Sequence, residues 1–297
     1  MTIHGVTTMD PLTWPPPLGP VRLWDCGVTW ADLNPAKGRY EWARLDAIVD
    51  SLPGRDIMLT VAATPRWAAR EPDSQGAAWM PLGSNSPPHT MADWEGFIYA
   101  LSDRYEGRIT SYQIWNEPQL HDYWAPYGQI GALGRMTAKA AKIIRKIDPS
   151  AQVIGAQVLP RSTSGGMRRA SAYLETLLEN GWPIDVHTAD LYPEPGRAVA
   201  AWSNMIMQWK AGLARVGAPR LPLWVAETNF NLMAGSLPDT VAAARVRGTD
   251  KAADEYKIRR VYWYAWGVHG NPEVLGIALH KGTAGAKALQ LLLEKEA

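Results

Sequence analysis

Cysteine is almost missing from the chain: Cys26 is the single one in 297 residues. No intrachain disulfide can form, and neither a thiolate zinc cluster nor an iron–sulfur centre has its ligands. Cys26 follows the apolar run Val21 to Trp24 and reads as a packed thiol rather than a nucleophile. The six histidines, at 4, 89, 121, 187, 269 and 280, include no pair at metal-ligand spacing, so no catalytic metal and no cofactor are expected. Net charge is missing too. Thirty Lys and Arg against twenty-nine Asp and Glu leave a formal charge of +1, which gives no electrostatic footprint for nucleic acid or an anionic membrane. No stretch approaches the roughly 18 apolar residues of a membrane span. Met1-Thr-Ile-His-Gly-Val also lacks the basic and apolar regions of a secretory signal. The expectation is a cytoplasmic protein, although release by lysis or a phage origin would look the same. A neutral small molecule or polymer suits this balance as a partner, and a monomer is compatible with it.

Phenylalanine is scarce while tryptophan is abundant, two against fifteen. Trp stacks well on sugar rings, because the C–H face of a pyranose or furanose is apolar and polarised against the aromatic quadrupole. Core packing accounts for most of them in any reading.

The hydrophobic fraction of 46% is enough for a sizeable core, and the length fits either two small domains or one barrel. Periodicity decides between them. Short apolar runs alternate with longer segments of helical period, which is the mark of βαβ units around a parallel sheet. Eight such runs occur: 2–7, 21–25, 56–63, 109–116, 151–158, 184–191, 221–228 and 260–268. Between them, Met136, Ala140, Ile143, Ile144 and Ile147 form one helical stripe, and Trp202, Met205, Ile206, Trp209 and Leu213 another. A third runs from Trp42 through Leu45 and Val49 to the stop at Pro53-Gly54. No composition shift marks a linker, so residues 1–297 are expected to form a single α/β domain, a (β/α)8 TIM barrel. The long Pro-rich insert from Thr64 to His89 falls on the loop side that rings a barrel's active-site mouth. Ser164-Gly-Gly-Met and Gly282-Thr-Ala-Gly-Ala read as ordinary turns rather than phosphate cradles.

The sharpest local signal is Tyr112-Gln-Ile-Trp-Asn-Glu-Pro118, where the fourth strand delivers Asn116 and Glu117 and stops against a proline. The residue before proline is pushed away from helical geometry, so Glu117 is expected to be extended at the strand's C-terminal edge. A second carboxylate, Glu227, ends the seventh strand in Leu223-Trp-Val-Ala-Glu-Thr-Asn. Two carboxyls on opposed strands of one barrel are the equipment of a retaining glycosidase, which needs one protonated to release the leaving group and one ionised to attack. Trp-Asn-Glu-Pro at the end of a fourth strand resembles the acid/base motif of the clan A glycoside hydrolases. Other pieces are similar to the same clan, and most of all to family 39 and related β-xylosidase-type enzymes: Val-Arg22-Leu-Trp-Asp25, Gly27-Val-Thr-Trp30-Ala-Asp-Leu-Asn-Pro, Gly38-Arg-Tyr-Glu-Trp42, Tyr192, and Trp266 in Tyr-Trp-Tyr-Ala-Trp-Gly.

That resemblance implies a retaining O-glycosidase without cofactor, with Glu117 as general acid/base and Glu227 as nucleophile, acting on a carbohydrate in which pentosides are favoured. It further implies that Arg22 keeps Glu227 ionised, that Asn116 binds the sugar 2-hydroxyl, that Tyr192 touches the nucleophile and that Trp266 floors the sugar subsite. Asp25, Trp30, Trp67 and His121 join the candidate substrate-binding set from their places near or on the cleft loops. There is one departure. The clan often has His two residues before the strand-six tyrosine, whereas Asp190 stands there and His187 lies on the opposite pleat face. A third acid could bind a substrate hydroxyl or shift the pH optimum. Two rivals share the same residues, namely a barrel that binds carbohydrate without cleaving it and a transglycosylase that passes the sugar to another hydroxyl.

Overall fold

A computed structural model describes residues 1–126, 129–160, 164–231, 234–267, 277, 279 and 282–294. All eight expected strands form: β1 (Ile3–Thr8), β2 (Val21–Leu23), β3 (Ile57–Val61), β4 (Ser111–Ile114), β5 (Gln152–Ile154), β6 (His187–Leu191), β7 (Leu223–Thr228) and β8 (Arg260–Trp266). They pair in parallel in the order β5-β4-β3-β2-β1-β8-β7-β6. Parallel bridges Ile154 to Val186 and Val158 to Ala189 bring the two ends together, which closes the sheet into the (β/α)8 barrel. The observed strands are shorter than the apolar runs, because the last residues of several runs turn out of the ladder to form the rim. Val268, His269 and His280 lie outside the described residues.

The helices are α1 (Trp30–Leu33), α2 (Ala43–Asp50), α3 (Met91–Arg104), α4 (Ile130–Ile147), α5 (Ser164–Glu179), α6 (Val199–Arg215), α7 (Asp239–Glu255) and α8 (Ala284–Glu294). Each amphipathic stripe faces the barrel: Leu45, Ile48 and Val49 on α2, Met136, Ala140 and Ile144 on α4, and Trp202, Ile206 and Trp209 on α6 are all buried. Ser164-Gly-Gly-Met begins α5 instead of forming a turn, so propensity at two glycines yields to the packing of the helix they start. The β1 to β2 connection, residues 9–20, carries no helix, and it folds across Trp266, whose indole Nε1 donates to Pro15 O at 3.1 Å.

The long insert is pinned at many points. Thr64 Oγ1 donates to Ser86 O at 2.6 Å, Arg70 N to Pro87 O at 2.9 Å, and Asn85 Nδ2 to His121 O at 3.0 Å. A Cβ on Gly76 would come within 2.4 Å of Asp122 O, so glycine is what lets the insert lie against the β4 to α4 loop. The insert is therefore a fixed wall of the mouth.

Inside the barrel the layers differ in chemistry. Met58, Ile154, Val186, Trp224, Ala226 and Tyr262 form an apolar floor, and the Arg260 guanidinium lies 4.2 Å from the Trp224 ring and pairs with Asp56 at 2.5 Å. Above the floor the filling is polar: Thr60 Oγ1 donates to Gln113 Oε1 at 2.9 Å, and Gln113 Nε2 to Thr188 Oγ1 at 3.3 Å. Ten of the fifteen tryptophans are buried, which is the core-packing share. Trp30 is among them. Its ring is 5.3 Å from Phe97 and 5.1 Å from Trp94, both on α3. The expectation that Trp30 binds substrate is thereby corrected, since a ring with no exposed surface between α1 and α3 has nothing left to offer a sugar.

Trp30→Ala should lose both the ring's burial and its aromatic contacts, destabilising the fold by about 3 to 5 kcal/mol. Chemical denaturation checks this. An unchanged midpoint would mean that the ring is not part of the packed layer.

Candidate active site

The site is built outward from Arg22. Located on β2, its guanidinium has no exposed surface and is engaged on three sides: Nη1 donates to Glu227 Oε1 at 2.5 Å, Nη2 to Asn116 Oδ1 at 2.9 Å, and Nε to Gln113 Oε1 at 3.0 Å. Burying a guanidinium is tolerable only with such saturation. Burial works against its charge, while Glu227, Asp190 and Asp25 raise its pKa.

Glu227 ends β7 with both oxygens bound. Oε1 takes the Arg22 bond, and Oε2 accepts from the Tyr192 hydroxyl at 2.7 Å. Burial and the neighbouring Glu227 charge push Tyr192 well above the ordinary phenol range, so it stays protonated and donating. A guanidinium and a hydroxyl on one carboxylate fix its orientation.

Glu117 follows β4 and is 9% exposed. Its backbone is not extended as the proline rule suggests: φ is +36° at Glu117 and +80° at Trp115. Tertiary bonds account for the difference. Trp115 Nε1 donates to Tyr123 O at 2.7 Å and Leu120 N to Glu117 O at 3.0 Å, winding the chain tightly after the strand. Non-glycine residues with positive φ also end β2 at Asp25 (+59°) and β3 at Ala63 (+67°). Such strained positions gather where side chains must be aimed rather than merely packed.

Two further acids face the same space. Asp25 accepts from the Tyr264 hydroxyl at 2.8 Å. Burial, then the Glu227 charge, push its pKa up to about 6 against the opposing pull of Tyr264 and Arg22. Asp190, the cross-strand partner of Glu227 in register, is wholly buried. Its pKa is raised well above the carboxylate range by burial first, then by Glu227 and Glu117. Glu117 and Glu227 both act electrostatically on Asp190 and on Tyr123, so the two glutamates belong to one site. Among the described residues, no group of three His, Cys, Asp or Glu is arranged to hold a metal ion.

The remaining candidates divide. Asn116, 1% exposed, is within the cluster, whereas His121 is exposed on the rim. There it shares a cleft of about 650 Å³ with Glu71, Asp73, Ser74 and Ala125. Trp266 is 6% exposed beneath the 9–20 loop. Trp67 is half-buried and anchors a loop, its Nε1 donating to Asn34 O at 2.7 Å. His187 faces away from the site: Nε2 is 3.0 Å from Pro219 O, its ring meets Trp182 edge-on, and burial lowers its pKa. Asp190, rather than His187, is thus the strand-six ionisable side chain turned towards the carboxylates.

Sequence reasoning missed Gln113, Gln157, Tyr123 and Tyr264. Gln113 and Tyr264 were legible in principle, because each stands an even number of residues from another inward-facing position on its strand. Gln157 and Tyr123 follow strands and are placed by loop geometry that no period reports. A second cleft, of about 490 Å³, opens beside Asp25 and Tyr264 and is lined by Met9, Thr29, Asp32 and Trp79. At 70% exposure Trp79 is the most exposed tryptophan described.

Asp25 carries a stability consequence of definite sign. Its carboxyl binds a proton more tightly folded than unfolded, so stability is lost as pH rises from the ordinary carboxylate value towards about 6. Two pKa units correspond to about 3 kcal/mol. Asp25→Asn keeps an acceptor for Tyr264 and removes the ionisation, so it should be more stable than the parent at pH 8 by up to about 3 kcal/mol and equal to it below pH 4. Denaturation at the two pH values tests this; a gain independent of pH would contradict the burial account.

No family model matches the chain. A β-xylosidase from Geobacillus stearothermophilus is 26% identical over an alignment covering 64% of this chain and 41% of that protein. The chain thus spans less than half the length of that relative. Among solved structures, a glucosidase from Croceicoccus marinus has a TM-score of 0.74 at 14% identity, covering 99% of this chain and 67% of the other. A GH39 enzyme from Xanthomonas axonopodis pv. citri has a TM-score of 0.71 at 19% identity, with coverages of 92% and 59%. Xylanase 10B from Thermotoga maritima has a TM-score of 0.65 at 13% identity, with coverages of 99% and 95%. These structures share the (β/α)8 barrel with this chain. Together with the motifs on β2, β4, β7 and β8, these likenesses bear out the chain's resemblance to the clan A glycoside hydrolases, a GH39 enzyme being among the similar structures.

Proposed function

We propose that the chain is a retaining glycoside hydrolase that cleaves an O-glycosidic bond by double displacement, with Glu227 as nucleophile and Glu117 as acid/base. The observation that carries this reading is the bracketing of Glu227 by Arg22 and Tyr192. A carboxylate aimed by two donors, in a cluster that includes a second glutamate, is what attack on an anomeric carbon requires. A module that only bound sugar would have no use for crowding buried acids around one guanidinium.

In the first step a Glu227 oxygen bonds to the anomeric carbon as the glycosidic C–O bond breaks, and Glu117 gives its proton to the departing oxygen. The sugar is then an ester of Glu227, whose charge is gone. Glu117, now ionised, takes a proton from water while that water's oxygen bonds to the anomeric carbon and releases Glu227. Asn116 Nδ2, the buried and unbonded atom of that amide, is the group we assign to the neighbouring sugar hydroxyl. No step needs a cofactor. The substrate class we favour is a pentose-containing glycoside, on the strength of the β-xylosidase relative. The Trp79 cleft supports a chain of several sugars, since an exposed indole beside Asp25 and Asp32 offers one apolar face and two acceptors to a distal ring.

Glu227→Ala should abolish turnover of aryl glycosides and regain it with added azide, giving a glycosyl azide of inverted configuration. Glu117→Ala should lose far less activity on substrates with very good leaving groups than on poor ones, a gap of at least about 100-fold in line with general acid catalysis. Near-normal turnover by the Glu227 variant would refute the nucleophile assignment. For Trp79→Ala, the ratio of kcat/KM on a xylohexaose to that on a xylobiose should fall about tenfold, as expected for a lost stacking contact. A ratio equal to the parent's would remove Trp79 from the substrate path.

A further inference from the structure

Beside the carboxylates lies a run of buried polar groups that the double displacement leaves unused. Asn116 Oδ1 accepts two donors at once, from Arg22 Nη2 at 2.9 Å and from Gln157 Nε2 through a short contact. This fixes the Asn116 amide with its oxygen turned inward, and its Nδ2 meets no protein partner. It also fixes Gln157: with Nε2 bonded to Asn116, Gln157 Oε1 is left buried without a donor. The Asp190 side chain is within hydrogen-bonding reach of Gln157, wholly buried, and neither of its oxygens has a donor. An amide oxygen and a carboxylate are both acceptors and cannot satisfy each other. Leaving both bare at zero exposure would carry a desolvation penalty on each.

One proton resolves the conflict. We propose that Asp190 is a positioning residue which, as a neutral carboxylic acid, donates to Gln157 Oε1 and so holds Gln157 and Asn116 in the amide orientation that presents Asn116 Nδ2 to the substrate hydroxyl beside the reacting carbon. The alternative arrangement breaks the chain. An ionised Asp190 would draw Gln157 Nε2 towards itself, bringing Gln157 Oε1 to face Asn116 Oδ1. Asn116 would then have to turn, leaving Arg22 Nη2 without its acceptor and offering the substrate an oxygen where a donor was. The order of the chain is therefore Asp190 to Gln157 to Asn116, with Arg22 closing it from the other side.

The surroundings favour the neutral form. Glu227 faces Asp190 from β7 and Glu117 from the turn after β4, both of which oppose a further negative charge. Arg22 on β2 and a hydrogen bond with the Gln157 side chain pull the other way, but each weighs less than burial and the two glutamates. Tyr192, next but one along the chain, donates to Glu227.

The inference rests on the glycosidase reading for its effect on rate, but not for its structural content. The experiment compares a glycoside with its 2-deoxy analogue in the parent, Asp190→Asn and Asp190→Leu. The parent's kcat/KM advantage for the hydroxylated substrate should fall at least tenfold in Asp190→Leu, which offers no donor, and stay within about threefold in Asp190→Asn, whose amide supplies one. These sizes correspond to losing or keeping one good hydrogen bond. In the parent the advantage should collapse at alkaline pH as Asp190 ionises, and in Asp190→Asn that collapse should be missing. A merely structural role would lower both substrates alike and leave the ratio and its pH profile unmoved, which would overturn the proposal. Infrared difference spectra of parent minus Asp190→Asn at pH 7 provide a readout without turnover. A protonated carboxyl C=O band supports the proposal and a carboxylate band refutes it, whatever the protein hydrolyses. Failure to hydrolyse any glycoside, with the protonated band present, would count against the glycosidase reading alone.

Discussion

Stripping a guanidinium of water is expensive, several kcal/mol even after relaxation, and Arg22 is stripped completely. The interior of the barrel is organised around meeting that requirement. Gln113 comes from β4, Glu227 from β7 and Asn116 from the turn after β4, and each contributes one acceptor at a distance that leaves no donor on that face idle. The same geometry serves the chemistry. Arg22 reaches from β2 to Glu227 at the end of β7, and the second oxygen of that carboxylate is left to Tyr192. Removing the arginine would leave an uncompensated buried charge, so fold and site stand on one contact.

The rim solves a different problem, which is to turn side chains inward just where the ladder ends. Regular strands would send successive residues alternately in and out. Here Asp25, Ala63, Trp115 and Glu117 take positive φ, and the register of β6 against β7 shifts between Ala189 and Asp190. These departures place Asp190 beside Glu227. They are maintained by contacts from elsewhere, such as the Trp115 to Tyr123 bond and the insert pinned through Asn85 to His121. A rigid scaffold thereby carries a rim whose local conformations it over-determines.

How far the sequence foretold this follows from the range of the forces involved. The eight strands and the α2, α4 and α6 stripes were readable because apolar periodicity is a local record of which face meets the core. Glu117 and Glu227 were readable as carboxylates at strand ends because that same period sets where the strands stop, whereas the places of Arg22 and Tyr192 beside Glu227 came from the resemblance alone. Trp30 was misread: next to a motif, an aromatic residue looks the same whether it faces a cleft or a helix, and only the position of Phe97 and Trp94 decides. The extended backbone expected at Glu117 failed because a pairwise rule for the residue before proline was overridden by bonds from Trp115 and Leu120. Gln157 was invisible, since its partner Asn116 lies 41 residues earlier and the two meet only through the pairing of β4 with β5, whose register the sequence does not report.

The charge balance of the mouth ties these observations together. Four carboxyls, on Asp25, Glu117, Asp190 and Glu227, surround one guanidinium, and ionising all of them would leave a large negative excess in a region of low polarisability. Burial lets the protein choose which stay neutral. Glu227 takes the bonds of both the arginine and the tyrosine; burial and the neighbouring glutamate push Asp25 and Asp190 towards their acid forms. When Glu227 becomes an ester in the proposed reaction, the anion that opposed every neighbour disappears at once. The acids around it then ionise more readily, and Glu117, facing the departing group, is the one with a reaction partner to receive its proton.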